Sequence, residues 1–146
     1  MPKKMRGFEF LEHTADVYIA ACGKDLTEAF ENAALAMFET MTDTKDVKPV
    51  NEKTVEAKGE DKQALFYDWL ERLLVMFDVE GMLLSKFRIQ KIKQAKTGFN
   101  LEAKVYGEPY DPKRHRQKVG VKAVTYHRME VHEASGKVTV KFILDI

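Results

Sequence analysis

The chain has 146 residues, of which 45% are hydrophobic and 32% charged, and its 24 Lys and Arg against 23 Asp and Glu leave a formal charge of 24 − 23 = +1. That balance predicts a folded globular chain and excludes intrinsic disorder. It also argues against a general nucleic-acid binder or a polybasic membrane anchor, both of which need a basic excess. The single cysteine, Cys22, excludes an internal disulfide framework and a Cys-based zinc site. The start "MPKKMRGFEF" has no long apolar stretch behind its basic residues, and no apolar run reaches the length of a bilayer span. A soluble, cytoplasmic protein is expected, with one domain over 1–146.

Two short runs rich in aromatic and β-branched residues, "FEFLEH" (8–13) and "DVYIAAC" (16–22), predict the first two strands. Residues 25–41 place Leu26, Phe30, Ala33, Met37 and Met41 at helical spacing. Asp25 is the N-cap there and Glu28 completes a capping box. A strand is predicted around 50–57, with Pro49 at its start or edge. A second helix is predicted over 61–81, capped by Asp61 and closed by Gly81. Strands are then predicted at 85–95, 98–108, 119–133 and 137–146, with "KTG" (96–98) and "ASG" (134–136) as tight turns. The first two of these four alternate polar and apolar residues, so one face of that hairpin is wet. The fold class is α+β: two helices packed on a largely antiparallel β-sheet, in a single domain.

Several segments carry chemistry. In "EHTAD" (12–16), Glu12, His13 and Asp16 crowd a strand junction. The segment reads either as a turn whose polar side chains satisfy backbone N–H groups or as a donor cluster at a sheet end. In the terminal "KFILDI", Phe142, Leu144 and Ile146 share one strand face, while Ile143 and Asp145 share the other. An apolar last residue that packs would hold its α-carboxylate in place beside Asp145. Two fixed carboxylates repel, and a cation relieves the repulsion. If Asp16 joined them, the all-oxygen set would suit Ca²⁺, Mg²⁺ or Mn²⁺ better than zinc. His127 and His132 lie in a late strand. His127 reads as a structural or surface histidine, or as a residue aimed at a site shared with His13. The loop "PYDPKRHRQK" (109–118) concentrates Lys113, Arg114, His115, Arg116 and Lys118, and is either a solvated loop or a patch for phosphates or an acidic partner. No Gly-x-Ser-x-Gly elbow and no Gly-rich phosphate loop occurs.

Read as an ordered set, "FEFLEHTADVYI", "LTEAFENAALAMFETMTD", "DWLERLLVMFDVE", "GEPYDPKRH", "VKAVTYHRMEV" and "ILDI" resemble the archease family over nearly the whole chain, from about residue 8 to residue 146. The resemblance implies a non-catalytic accessory protein of the RtcB-type tRNA-splicing ligase, which joins exon halves with GTP and Mn²⁺. Archeases are thought to promote guanylylation of the ligase and its multiple turnover, and to broaden its nucleotide use. The resemblance further implies a divalent-metal site, described with calcium, whose ligands fall on Asp16, Asp145 and the terminal carboxylate of Ile146. Two other functions stand beside it. One is a chaperone for tRNA-modifying methyltransferases, or an RNA-binding module working through 109–118. The other is a metal-dependent phosphodiesterase using His13 or His127 as acid/base.

Overall fold

The computed structural model describes residues 7–13 and 16–146, without the side chains of Glu12 and His13; Thr14 and Ala15 lie outside the described residues. Two strands open the fold, β1 (Phe8–His13) and β2 (Asp16–Gly23), and are followed by helix α1 (Leu26–Met41). A one-turn 3₁₀ segment, Thr44–Asp46, leads into β3 (Asn51–Gly59) and helix α2 (Lys62–Glu80). The chain closes with β4 (Met82–Ala95), β5 (Gly98–Pro109), β6 (Ala123–Ala134) and β7 (Lys137–Asp145).

Both helices begin as their sequences dictate. The Asp25 carboxylate accepts from the Glu28 N–H at 2.9 Å, and the Glu28 side chain accepts in return from the Lys24 N–H at 2.8 Å. Asp61 accepts from the Ala64 N–H at 2.8 Å. Each cap satisfies donors that a helix start leaves without partners. Gly81, in the left-handed region at φ 70°, ends α2, so the chain turns directly into β4.

The strands do not form one sheet. Four of them pair in the order β1-β2-β7-β6 and three in the order β3-β5-β4, every described pairing being antiparallel. The expected α+β class, two helices packed on antiparallel strands, is what the chain adopts; the strands divide into two sheets, and the reason lies between β5 and β6. Thirteen residues, 110–122, separate these strands, too many for a hairpin, and they carry the chain from one sheet to the other. Tight turns occur where they were expected, with Ala95 opposite Gly98 and Ala134 opposite Lys137.

The helices join the two sheets. Phe66 of α2 meets Phe30 of α1, with ring centroids 4.8 Å apart, and Phe142 of β7 at 5.3 Å. Trp69 turns the other way, onto Phe87 of β4, and its indole N–H donates to the Phe30 carbonyl at 3.0 Å. A core shared in this way explains why α1 is buried on more than one side, at Ala29, Phe30, Ala33, Ala34, Ala36 and Phe38 among others. The three-stranded sheet packs closely enough that the Gly107 α-carbon faces the Leu83 carbonyl oxygen. A Cβ at that position would fall 1.8 Å from it.

Candidate metal centre

Strand β7 is central, with β2 on one side and β6 on the other, and its last pairing brings the two predicted carboxylates together. Asp16 opens β2 and sits directly opposite Asp145, which closes β7. Side chains of directly opposed residues lie on one face, with Cβ atoms about 4.5–5.5 Å apart. The face follows from the burial pattern. Val17, Ile19, Phe142 and Leu144 point into the core, so Asp16 and Asp145 project from the outer face of the sheet, both exposed.

The end of the strand is held at several points. The Asp145 carbonyl accepts from the Lys122 N–H at 2.7 Å, and Ala123 pairs beside it. Ile146 is half-buried and packs against the core, as its parity with Leu144 predicts. Its side chain thereby fixes the main chain next to Asp145. Asp16 and Asp145 present two facing side-chain carboxylates, an anionic oxygen pair. Such a pair, completed by water, fits the six to eight oxygens that Ca²⁺ takes better than the nitrogen or sulfur donors that zinc prefers. Among the described residues no group of three or more His, Cys, Asp or Glu side chains converges on a point. The side chain of His13 lies outside the described residues. His127 is exposed; its backbone N–H donates to Thr125 Oγ1 at 3.2 Å.

The strand predicted over 119–133 starts only at Ala123. Lys118 and Val119 instead donate their N–H groups to the carbonyls of Met41 and Thr40, at 3.0 and 3.2 Å, and tie the connector to the end of α1. Strand β6 is also interrupted. Thr125 pairs with Ile143 and Glu130 with Lys141, so the four residues 126–129 stand against the single residue Phe142. The bulge sends Tyr126 onto Tyr67 of α2, rings stacked 4.3 Å apart, and buries Met129. Arg128, at φ 57°, crosses to the outer face, where its guanidinium lies 4.5 Å from the centre of the Tyr18 ring.

The 109–118 segment is neither a free solvated loop nor an open basic patch. His115 is buried, at 2% exposure. Its Nδ1 accepts from the Asp111 N–H at 2.9 Å, which leaves the proton on Nε2 to donate to Glu108 at 2.8 Å. Glu108 also accepts from the Lys48 N–H at 2.9 Å and pairs with Arg114. Burial alone would raise the Glu108 carboxyl, but these donors and the Arg114 charge outweigh it and hold the group below the usual carboxylate value. Lys118 pairs with Glu39 at 3.1 Å and Asp43 at 3.4 Å, and Arg116 reaches Asp43 at 3.7 Å. Most of the positive charge in the loop is thus spent within the fold. The spacing of Glu108 and His115 in "GEPYDPKRH" was the available sequence signal for this lock.

A groove of about 620 Å³ lies elsewhere, lined by Cys22, Glu28, Asn32 and Lys137 at the far ends of β2 and β7. It is wide open, and nothing in its lining converges on a ligand. The paired carboxylates carry the stronger chemical signal.

The model of the Archease protein family matches residues 8–146. The curated "Protein archease" of Sulfurisphaera tokodaii is 46% identical over 142 residues, which cover 97% of this chain and 100% of that protein. The protein of the same name from Methanothermobacter thermautotrophicus is also 46% identical, with the same coverage. Among solved structures, the solution structure of Methanobacterium thermoautotrophicum protein 1598 superposes with a TM-score of 0.85 at 46% identity, covering 97% of this chain and 100% of that one. A crystal structure from Thermotoga maritima, of an archease described as a possible chaperone, gives a TM-score of 0.63 at 19% identity. It covers 93% of this chain and 94% of that one, and supports the fold alone.

Proposed function

Because the chain belongs to the archease family, we propose that it is a non-catalytic activator of an RtcB-type tRNA-splicing RNA ligase. In this reading it promotes guanylylation of the ligase and its multiple turnover, and broadens its nucleotide use. A divalent cation, Ca²⁺ in the first instance with Mg²⁺ or Mn²⁺ as alternatives, is held by Asp16, Asp145 and the Ile146 carboxylate. The observation that carries the metal part is the register that sets Asp16 opposite Asp145 on an exposed sheet end. Like charges placed directly opposite destabilise a ladder, so an unrelieved pair is a poor structural choice and a bound cation a good one.

Physically, an exposed anionic end carrying a cation can approach a partner's phosphate- and metal-rich active site, where the cation screens what would otherwise be repulsion. The acid/base chemistry of a phosphodiesterase would need a histidine at the metal. His127 lies in the bulge of β6, four positions along the strand from Ala123, which borders Asp145. A chaperone or RNA-binding role through 109–118 is weakened by the internal pairing of Lys118, Arg116 and Arg114.

The test is multiple-turnover ligation by the matching ligase with this protein added. Stimulation should be lost in Asp16→Ala and Asp145→Ala, and in a protein extended by one residue beyond Ile146. All three should keep the wild-type circular dichroism. Stimulation at the wild-type level by both Asp variants would remove the metal site from the proposal.

A further inference from the structure

Arg128 breaks a local rule. Non-glycine residues at positive φ are uncommon, and those that occur are enriched in Asn and Asp, not Arg. Backbone strain of this kind persists where the surroundings enforce it, and it clusters at functional sites. Here the enforcing device is the bulge, anchored on its inner side by the stack of Tyr126 on Tyr67. Gln63 adds a hydrogen bond to the Met129 carbonyl at 3.2 Å. In a regular strand, residue 128 would share the inner face of Tyr126. The left-handed turn instead delivers it to the outer face, across β7, onto the Tyr18 ring of β2.

The address of that ring matters. Tyr18, Ile143 and Thr125 form one row across the sheet, and Asp16, Asp145 and Ala123 form the next row on the same face. Successive rows on one face are about 7 Å apart. The cation–π attraction that holds the guanidinium over the ring uses none of its N–H donors as hydrogen bonds, and leaves donors for an oxyanion. Among the described residues no carboxylate pairs with Arg128, although Asp16 and Asp145 lie one row away on this face, and Glu130 of β6 lies one row away on the other side, in the row of Lys141 and Ala20. Arg128 is therefore a held, uncommitted cation beside a pair of uncommitted carboxylates.

We propose that Arg128 is an anion-binding residue that grips the phosphate chain of a nucleoside di- or triphosphate, other oxygens of which lie on the divalent cation at Asp16 and Asp145. The inference rests on the metal-site reading above. Without a cation the acidic row repels phosphate; with one, the guanidinium and the cation form a two-point grip about one phosphate chain in length. Binding of phosphate and of cation is accordingly linked, each strengthening the other.

The experiment is calorimetric titration of the full chain, first with Ca²⁺ alone, then with inorganic tripolyphosphate in excess Ca²⁺. GTP and a short single-stranded RNA without terminal phosphates serve as parallel ligands. Wild type and Arg128 variants should bind Ca²⁺ equally. Tripolyphosphate and GTP should bind the wild type only when Ca²⁺ is present. The affinity should fall tenfold or more in Arg128→Ala and less in Arg128→Lys, which keeps the charge without the fork. Arg128→Gly, which fits the left-handed backbone, should melt at or above the wild-type temperature and still lose phosphate binding. Ca²⁺ binding without tripolyphosphate binding overturns this inference and spares the metal site; absence of Ca²⁺ binding overturns both. Equal tripolyphosphate affinity in wild type and Arg128→Ala, or RNA binding as tight as tripolyphosphate, overturns the assignment of Arg128 to a nucleotide phosphate chain.

Discussion

Replacing Glu108 by Ala should destabilise the fold through one buried acceptor. Glu108 is 8% exposed and takes the Lys48 N–H at 2.9 Å and the His115 Nε2–H at 2.8 Å. Hydrogen bonds to a charged group contribute about 1.5–3 kcal/mol each, and orphaned buried donors lose their solvation as well. The Arg114 pair adds little, because Arg114 is 40% exposed. Since the two buried bonds share one acceptor and are not additive, the expected loss is about 3–4 kcal/mol. With about 2.1 cal/mol/K per residue, 146 residues give an unfolding entropy near 0.3 kcal/mol/K, so Tm should fall by about 10 °C. The pH dependence has a defined sign. The folded-state pKa of Glu108 lies below its ordinary value of 4.5, so its contribution is present above about pH 4.5 and is lost as pH falls through the folded value. Thermal melts followed by circular dichroism between pH 7 and pH 3 should therefore show the gap between wild type and Glu108→Gln narrowing in acid. A Glu108→Ala protein that melts within about 2 °C of wild type, or a gap that widens below pH 4.5, would refute the assignment of Glu108 as the lock on the 110–122 connector.

Gly107→Ala should cost at least about 2 kcal/mol in denaturant titration, because its Cβ would meet the Leu83 carbonyl oxygen at 1.8 Å and β4 and β5 would have to part. Glu31 is the opposite case to Glu108. Burial raises its pKa, its bond from the Ile89 N–H only partly offsets this, and its charge is a penalty above the folded value. Glu31→Gln keeps an acceptor for Ile89, so at pH 7 it should melt at or above wild type, and its advantage should vanish on acidification. Asp16→Asn should match or slightly exceed the wild type in the presence of chelator, by relieving repulsion from Asp145. In Ca²⁺ at about a hundred times its Kd, the wild type should gain about 2.7 kcal/mol and Asp16→Asn nothing, read as a Tm difference of about 9 °C.

The parts of this fold that were legible in the sequence are those whose causes are local. Asp25 with Glu28, and Asp61 three residues before Ala64, announce helix starts because a cap is satisfied within one turn. The division into two sheets was not legible. It depends on β2 choosing β7, more than a hundred residues away, and no local signal reports that choice. The bulge was hidden because 124–131 has strand formers at Val124, Thr125, Tyr126 and Val131 and no Gly or Pro to mark a break; the excess of four residues over one exists only relative to β7. The candidate site was half legible. Asp16 and Asp145 each stood out as a carboxylate at a strand end, while their common register is a property of the pairing. His115 lies in the expected loop, but its burial was not legible, because a run of cations reads as solvated until its partners, Glu108, Glu39 and Asp43, are known.

The interruption in β6 has a consequence for the life of the protein in concentrated solution. Strand β6 forms one border of its sheet, and a free border offers unpaired N–H and C=O groups to any other strand that approaches. Only Ala123–Thr125 and Glu130–Ala134 keep the regular ladder, with 126–129 kinked between them, so an incoming strand meets two short stretches instead of twelve continuous residues. A change that straightened 126–129 would lengthen the border into a template. The same kink that positions Arg128 thus also shortens the regular stretch of this border that a neighbouring copy could pair with.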